Sequence, residues 1–320
     1  MTTTASPITA GTAGHWANRA EIGTALGLRF LFEVSRRLGR LPFRIALFPV
    51  VLYFFLSQGA KRADSRLYLE RVRTAMGRPG RPSLLLVFKH FLALGEGILD
   101  RILAWDPRSK PPRITRHGRE AVARILDQGK GLLLIGSHLG NLEAARHLAL
   151  TERKVPVNVL VHTRHNPGFI GLMKRINPDS QLALIQVTEM TPATAIMLKD
   201  KVDAGEVVLI AGDRVPLDAK GIAWAPFLGA DAPWPIGPYV LASLLECPVF
   251  LLFCLGTAGA YDIHYEPFAD QVSLDRATRR EQLAGWARRY ADRLAHYCTL
   301  APLLWSNVYD FWGAPEAARP

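Results

Sequence analysis

The chain is poor in cysteine and has none in a pairing pattern. Cys247, Cys254 and Cys298 are scattered, with no Cys-x-x-Cys spacing. This argues against a disulfide framework or a cysteine-built zinc site and suits small buried hydrophobes in a reducing compartment. The first 25 residues lack the basic-then-apolar plan of a signal peptide. Long apolar runs are missing from the N-terminal region as well. Its uninterrupted core, Ile45 to Leu56, is twelve residues long, short of the ~20 that span a bilayer. Acidic side chains are the minority, 28 against 39 lysines and arginines, for a formal net charge of +11. Such a surface favours anionic partners: nucleic acid, anionic lipid or an acidic carrier protein. The basic residues are dispersed, and neither zinc-finger spacing nor an aromatic RNA-binding motif occurs, so nucleic acid is set aside. There is no internal repeat and no low-complexity segment.

What is present is a chain of 320 residues, 49% hydrophobic, enough to bury the core of one large α/β domain or two small ones. Residues 1–25 form a polar tail. Residues 26–105 read as a helical, membrane-associating region. Its apolar core is flanked by Arg36, Arg37, Arg40 and Arg44 upstream and by Lys61 and Arg62 downstream. This pattern suits an interfacial helix held by arginines at the headgroups better than a span or a buried core helix. Arg62 to Leu103 reads as two helices around the turn "GRPGRP", and the proline-rich linker "DPRSKPPR" opens an α/β domain over residues 106–320. Strands are expected near Ile114 and at Leu132–Ile135, Val155–Val161, Leu182–Val187, Val207–Ala211 and Val249–Phe253. Helices are expected at Arg119–Gln128, Leu142–Leu150, Pro192–Ala204 (capped by Thr191), Pro238–Glu246 and Arg276–His296. The alternation predicts a mixed sheet flanked by helices.

The segment "LLLIGSHLGNLEAARHLAL", Leu132 to Leu150, holds the candidate chemistry. A His-x4-acid spacing is weak alone, since about one match is expected by chance among nine histidines. Two occur, His138–Glu143 and His147–Glu152. His138 follows a buried strand at the end where α/β sheets bind ligands, whereas His147 continues a helical pattern. Glu143 with His147 has no evident third ligand for zinc. An imidazole steered by a carboxylate can take a proton from a hydroxyl. "GSHLG" is not a Gly-x-Ser-x-Gly elbow, so Ser137 does not read as a nucleophile. A base without its own nucleophile points to acyl transfer to an incoming alcohol. A hydrolase using the same dyad on water and a non-catalytic membrane adaptor are the alternatives.

"SHLGNLE" after an aliphatic strand resembles the His-x4-Asp/Glu block of the lysophospholipid acyltransferase superfamily, and more narrowly of lipid A biosynthesis acyltransferases of the LpxL/HtrB type. "VHTRHNP", "GEVVLIAGDRVP" and "FLGADAPWPIGPYVLA" resemble further blocks of that family. The family's Tyr-Arg-Pro is replaced by Val161-His162-Thr163, with Arg164 two places late. The resemblance implies His138 as general base and Glu143 as its orienting carboxylate, with Arg164, Asn166, Asp213 and Arg214 near substrate. It implies no cofactor or metal, an acyl carrier protein or acyl-CoA as donor, a lipid or glycolipid acceptor, and a place on the cytoplasmic side of the inner membrane.

Overall fold

The computed structural model describes residues 25–103, 112–142, 155–161, 182–186, 191–215, 221–257 and 259–313. Four helices come first: α1 (Ala25–Leu38), α2 (Arg40–Ser57), α3 (Gly59–Ala75) and α4 (Leu84–Leu103). Then follow β1 (Arg113–His117), α5 (Arg119–Asp127), β2 (Leu132–Gly140), β3 (Val157–Val161), β4 (Leu182–Gln186), α6 (Pro192–Asp203) and β5 (Val207–Ala211). The hairpin of β6 (Ile222–Phe227) and β7 (Ala230–Pro235) leads to α7 (Gly237–Leu245), β8 (Val249–Thr257), β9 (Ala260–Ala269) and α8 (Arg279–Leu300).

Seven strands form one mixed sheet in the order β1-β9-β8-β2-β5-β3-β4. Every neighbouring pair is parallel except β8 with β9. The carboxyl ends of β8, β2, β5, β3 and β4 therefore share one edge. Alternation along β2 and β5 fills both faces: Leu133, Ile135 and Val208 join the core on one side, and Leu132, Leu134, Val207 and Leu209 that on the other. Strands buried on both faces need near-continuous aliphatic runs, which explains their legibility. Truncating Leu133, fully buried, costs ~2–5 kcal/mol.

The first core also holds Phe43, Leu47 and Val51 of α2 together with Tyr68, Val72, Val87 and Leu99. The helical region and the sheet thus share one packed cluster. Helix α2 lies against α4: Leu47 and Val51 meet Gly95, Phe48 and Phe55 pack edge-on against Phe88, and Arg44 pairs with Glu96 at 2.7 Å. Arg40 pairs with the buried Asp100. The other side of α2 is apolar and exposed, with Leu41 70%, Ile45 67% and Leu56 66% accessible. By length and composition α2 is the one helix among the described residues that could cross a membrane.

Three expectations change. Strand β2 does not stop at Ile135 but continues through a register shift to Gly140, so His138 lies within the strand. The segment between Ala211 and α7, where no strand is expected, holds the β6–β7 hairpin. Strand β9 is an addition to the expected strands. The Thr191 cap is present, its hydroxyl accepting the Thr194 N–H at 3.2 Å. The linker and the expected helix after Leu142 lie outside the described residues.

Candidate active site

The register of β2 against β5 makes the site. Gly136 stands beside Ala211, and two residues further along each chain His138 meets Asp213. The imidazole Nδ1 lies 2.6 Å from Asp213 Oδ1, and the His138 backbone N–H donates to Asp213 Oδ2 at 2.7 Å. Asp213 is fully buried, while the His138 side chain keeps 20% of its surface accessible. Glycines permit the approach. Gly140 has φ +73°, and a Cβ there would collide with the Cys254 carbonyl. Gly212 is approached by the Tyr290 ring, whose Cζ would lie 2.9 Å from an added Cβ.

A C-terminal strap closes the arrangement. Leu139 bridges Trp305, and the Gly140 N–H donates to the Leu304 carbonyl at 2.9 Å. The Ser306 N–H and hydroxyl both donate to the His138 carbonyl, at 3.0 and 2.9 Å. The Trp305 indole N–H donates to Asp213 Oδ2 at 3.0 Å. Asn307 Nδ2 donates to the Asp213 carbonyl at 2.8 Å and stands 3.3 Å from Oδ2. Arg101 reaches Ser306 Oγ at 3.1 Å, and Arg214 reaches Asn307 Oδ1 at 3.3 Å. Beside them Gly97, Asp100, Arg101, Asn141 and Ser306 line a cavity of about 20 Å³, room for about one water.

Electrostatics set the protonation state. Burial lowers the His138 pKa, Arg214 and Arg101 press it further down, and Asp213 opposes them without reversing the direction. Burial alone would raise the Asp213 pKa, but the neighbouring imidazole and the donors from His138 and Trp305 hold it below the ordinary carboxylate value. At neutral pH the pair is a neutral imidazole beside an ionised carboxylate. Since a carboxylate only accepts, His138 carries its proton on Nδ1 and its lone pair on Nε2. That is the tautomer of a general base.

Of the residues expected from sequence, His138, Asp213 and Arg214 come together. Asp213, expected near substrate, holds the imidazole. Glu143, Arg164, Asn166 and the competing His147 lie outside the described residues. Ser137 is buried with its Oγ accepting the Leu139 N–H at 3.3 Å. Sequence reasoning missed Arg101, Trp305, Ser306 and Asn307, which no local motif connects to His138. Among the described residues no group of three or more His, Cys, Asp or Glu side chains is placed to hold a metal ion.

Fold and geometry together define an α/β protein with a histidine–carboxylate pair at the carboxyl edge of its sheet. The chain belongs to the bacterial lipid A biosynthesis acyltransferase family, whose sequence pattern matches residues 89–306. The match starts within α4 and takes in His138, Asp213 and Trp305. Membership places the protein among acyltransferases. No curated protein matches the chain.

Proposed function

We propose that this protein moves a fatty acyl group from an acyl carrier protein thioester to a hydroxyl of a lipid or glycolipid, with His138 as general base. The contact between His138 Nδ1 and Asp213 Oδ1 carries the reading. It supplies the tautomer that the reaction requires, and Asp213 takes the orienting role that local spacing suggested for Glu143. Nε2 removes the acceptor hydroxyl proton as its oxygen attacks the thioester carbonyl. The tetrahedral adduct then expels the carrier's sulfur as the C–S bond breaks, and the imidazolium returns the proton to the thiolate. Arg214, with Arg164 and Asn166, is assigned to the anionic parts of the substrates.

The exposed stripe of α2 and the arginines around it support attachment to an anionic membrane surface, assigned to the cytoplasmic face of the inner membrane. The net charge of +11 suits that surface and an acidic carrier alike. No metal or organic cofactor takes part in this scheme. The test is mass spectrometry of whole lipid extracts from cells with and without the protein, joined to a labelled acyl-carrier assay. An acylated lipid that disappears with the protein supports transfer. Label recovered only as free fatty acid supports the hydrolase instead.

A further inference from the structure

Trp305 belongs to an aromatic cluster, fully buried against Tyr68, Phe227 and Phe311. A plain packing role would be served by any large ring. Its neighbours Trp234 and Trp312 fit that description, since their indole N–H groups end on the backbone carbonyls of Ala225 and Phe227 at 3.4 and 3.2 Å. Trp305 differs, because its N–H ends on a buried carboxylate.

The two oxygens of Asp213 are used unequally. Oδ2 faces the His138 backbone N–H, the Trp305 indole and the Asn307 amide, at 2.7, 3.0 and 3.3 Å. Oδ1 meets the imidazole. Pinning one oxygen turns the other toward Nδ1 and stops the carboxylate from rotating. The indole is itself fixed from behind. The Trp305 backbone bridges Leu139, and its carbonyl accepts from Nε2 of the buried His90 at 3.0 Å.

We propose that Trp305, assisted by Asn307, is a positioning residue for the reaction, its indole N–H locking Asp213 so that Oδ1 fixes the His138 tautomer. This rests on the general-base reading of His138. The same bond draws charge from the carboxylate. Its loss makes Asp213 a stronger acceptor for Nδ1–H and favours the imidazolium, which also feels Arg214 and Arg101.

The test is the pH dependence of His138 modification by diethyl pyrocarbonate, read by peptide mass spectrometry on full-length protein in detergent. It needs no turnover. Trp305→Phe keeps the ring and deletes the donor, and its midpoint should rise by roughly half a pH unit or more, the scale of one hydrogen bond to a charged group. Asp213→Asn should lower the midpoint. In the transfer assay Trp305→Phe should reduce kcat about tenfold with little change in KM. Asn307→Ala removes a second donor from the same oxygen and should shift the midpoint upward too, which keeps the test available if Trp305→Phe does not fold. A midpoint unchanged in the Trp305 and Asn307 variants but shifted in Asp213→Asn overturns the positioning role and leaves the dyad standing. Unchanged midpoints in all three overturn both.

Discussion

His138 Nδ1 and Asp213 Oδ1 lie 2.6 Å apart although 75 residues separate them in sequence. A neutral imidazole has a single N–H, and this contact uses it. Asp213→Asn should therefore cost activity on the ~10²–10⁴-fold scale of a lost general base. Glu143→Gln should cost markedly less. Steady-state acyl transfer by the two variants checks this, and the reverse order would return the orienting role to Glu143.

The lowered pKa of His138 fixes the sign of the pH profile. Its proton leaves below the ordinary histidine value of 6.5, so the base form persists across neutral pH. The acid limb of kcat/KM should fall below that value, activity declining as pH drops through it. Asp213, also lowered, titrates further down and does not set this limb. A limb at or above 6.5 would show that the arginines and burial do not govern the site.

His90 makes a separate prediction about stability. Buried between the Ser65 hydroxyl at 2.8 Å and the Trp305 carbonyl at 3.0 Å, it is held neutral, its pKa pushed down to about 4 by burial. Between 6.5 and 4 the unfolded chain binds a proton that the native state refuses. Stability should thus be lost as pH falls through that window, on the order of 3 kcal/mol from this residue. Urea midpoints at neutral pH and near pH 5 should differ less in His90→Gln than in wild type.

The membrane assignment is best tested on the outer stripe of α2. Deleting the helix would take Phe43, Leu47 and Val51 out of the core, uncover the α4 surface they cover, and confuse detachment with unfolding. Leu41→Asp with Ile45→Asp alters exposed positions only. The double variant should move into the soluble fraction, or become removable by salt, with little change in melting temperature. Retention of the double variant in washed membranes would contradict an interfacial role.

Carrier docking should be salt-sensitive. Wild-type reaction with acyl carrier protein should slow as salt rises, while reaction with a small acyl thioester should change little. Charge reversal at Arg214 is not a clean probe, because that residue also acts on the His138 pKa. Equal salt dependence for the two donors would remove the electrostatic argument for the carrier.

The strands at Leu132, Val207 and Val249 were legible because sheets covered on both faces require unbroken aliphatic runs. The β6–β7 hairpin was hidden by Pro226, Pro233 and Pro235, residues that ordinarily argue against a strand. Strand β9 carries a period-two signal in Tyr261, Ile263 and Tyr265. His138 was legible because it follows the aliphatic run Leu132–Ile135 and a Gly-Ser pair, although the strand itself continues to Gly140. The partnership with Asp213 was not, because it follows from β5 lying beside β2, and strand order is not written in local spacing. The strap from Leu304 to Asn307 was hidden for the same reason.

The most direct measurement is transfer of labelled acyl groups from acyl carrier protein to extracted lipid by wild type, His138→Ala, Asp213→Asn and Glu143→Gln at equal fold stability. The account predicts acylated lipid from wild type, almost none from His138→Ala and Asp213→Asn, and substantial product from Glu143→Gln. Lipid product from His138→Ala at wild-type rates would contradict it.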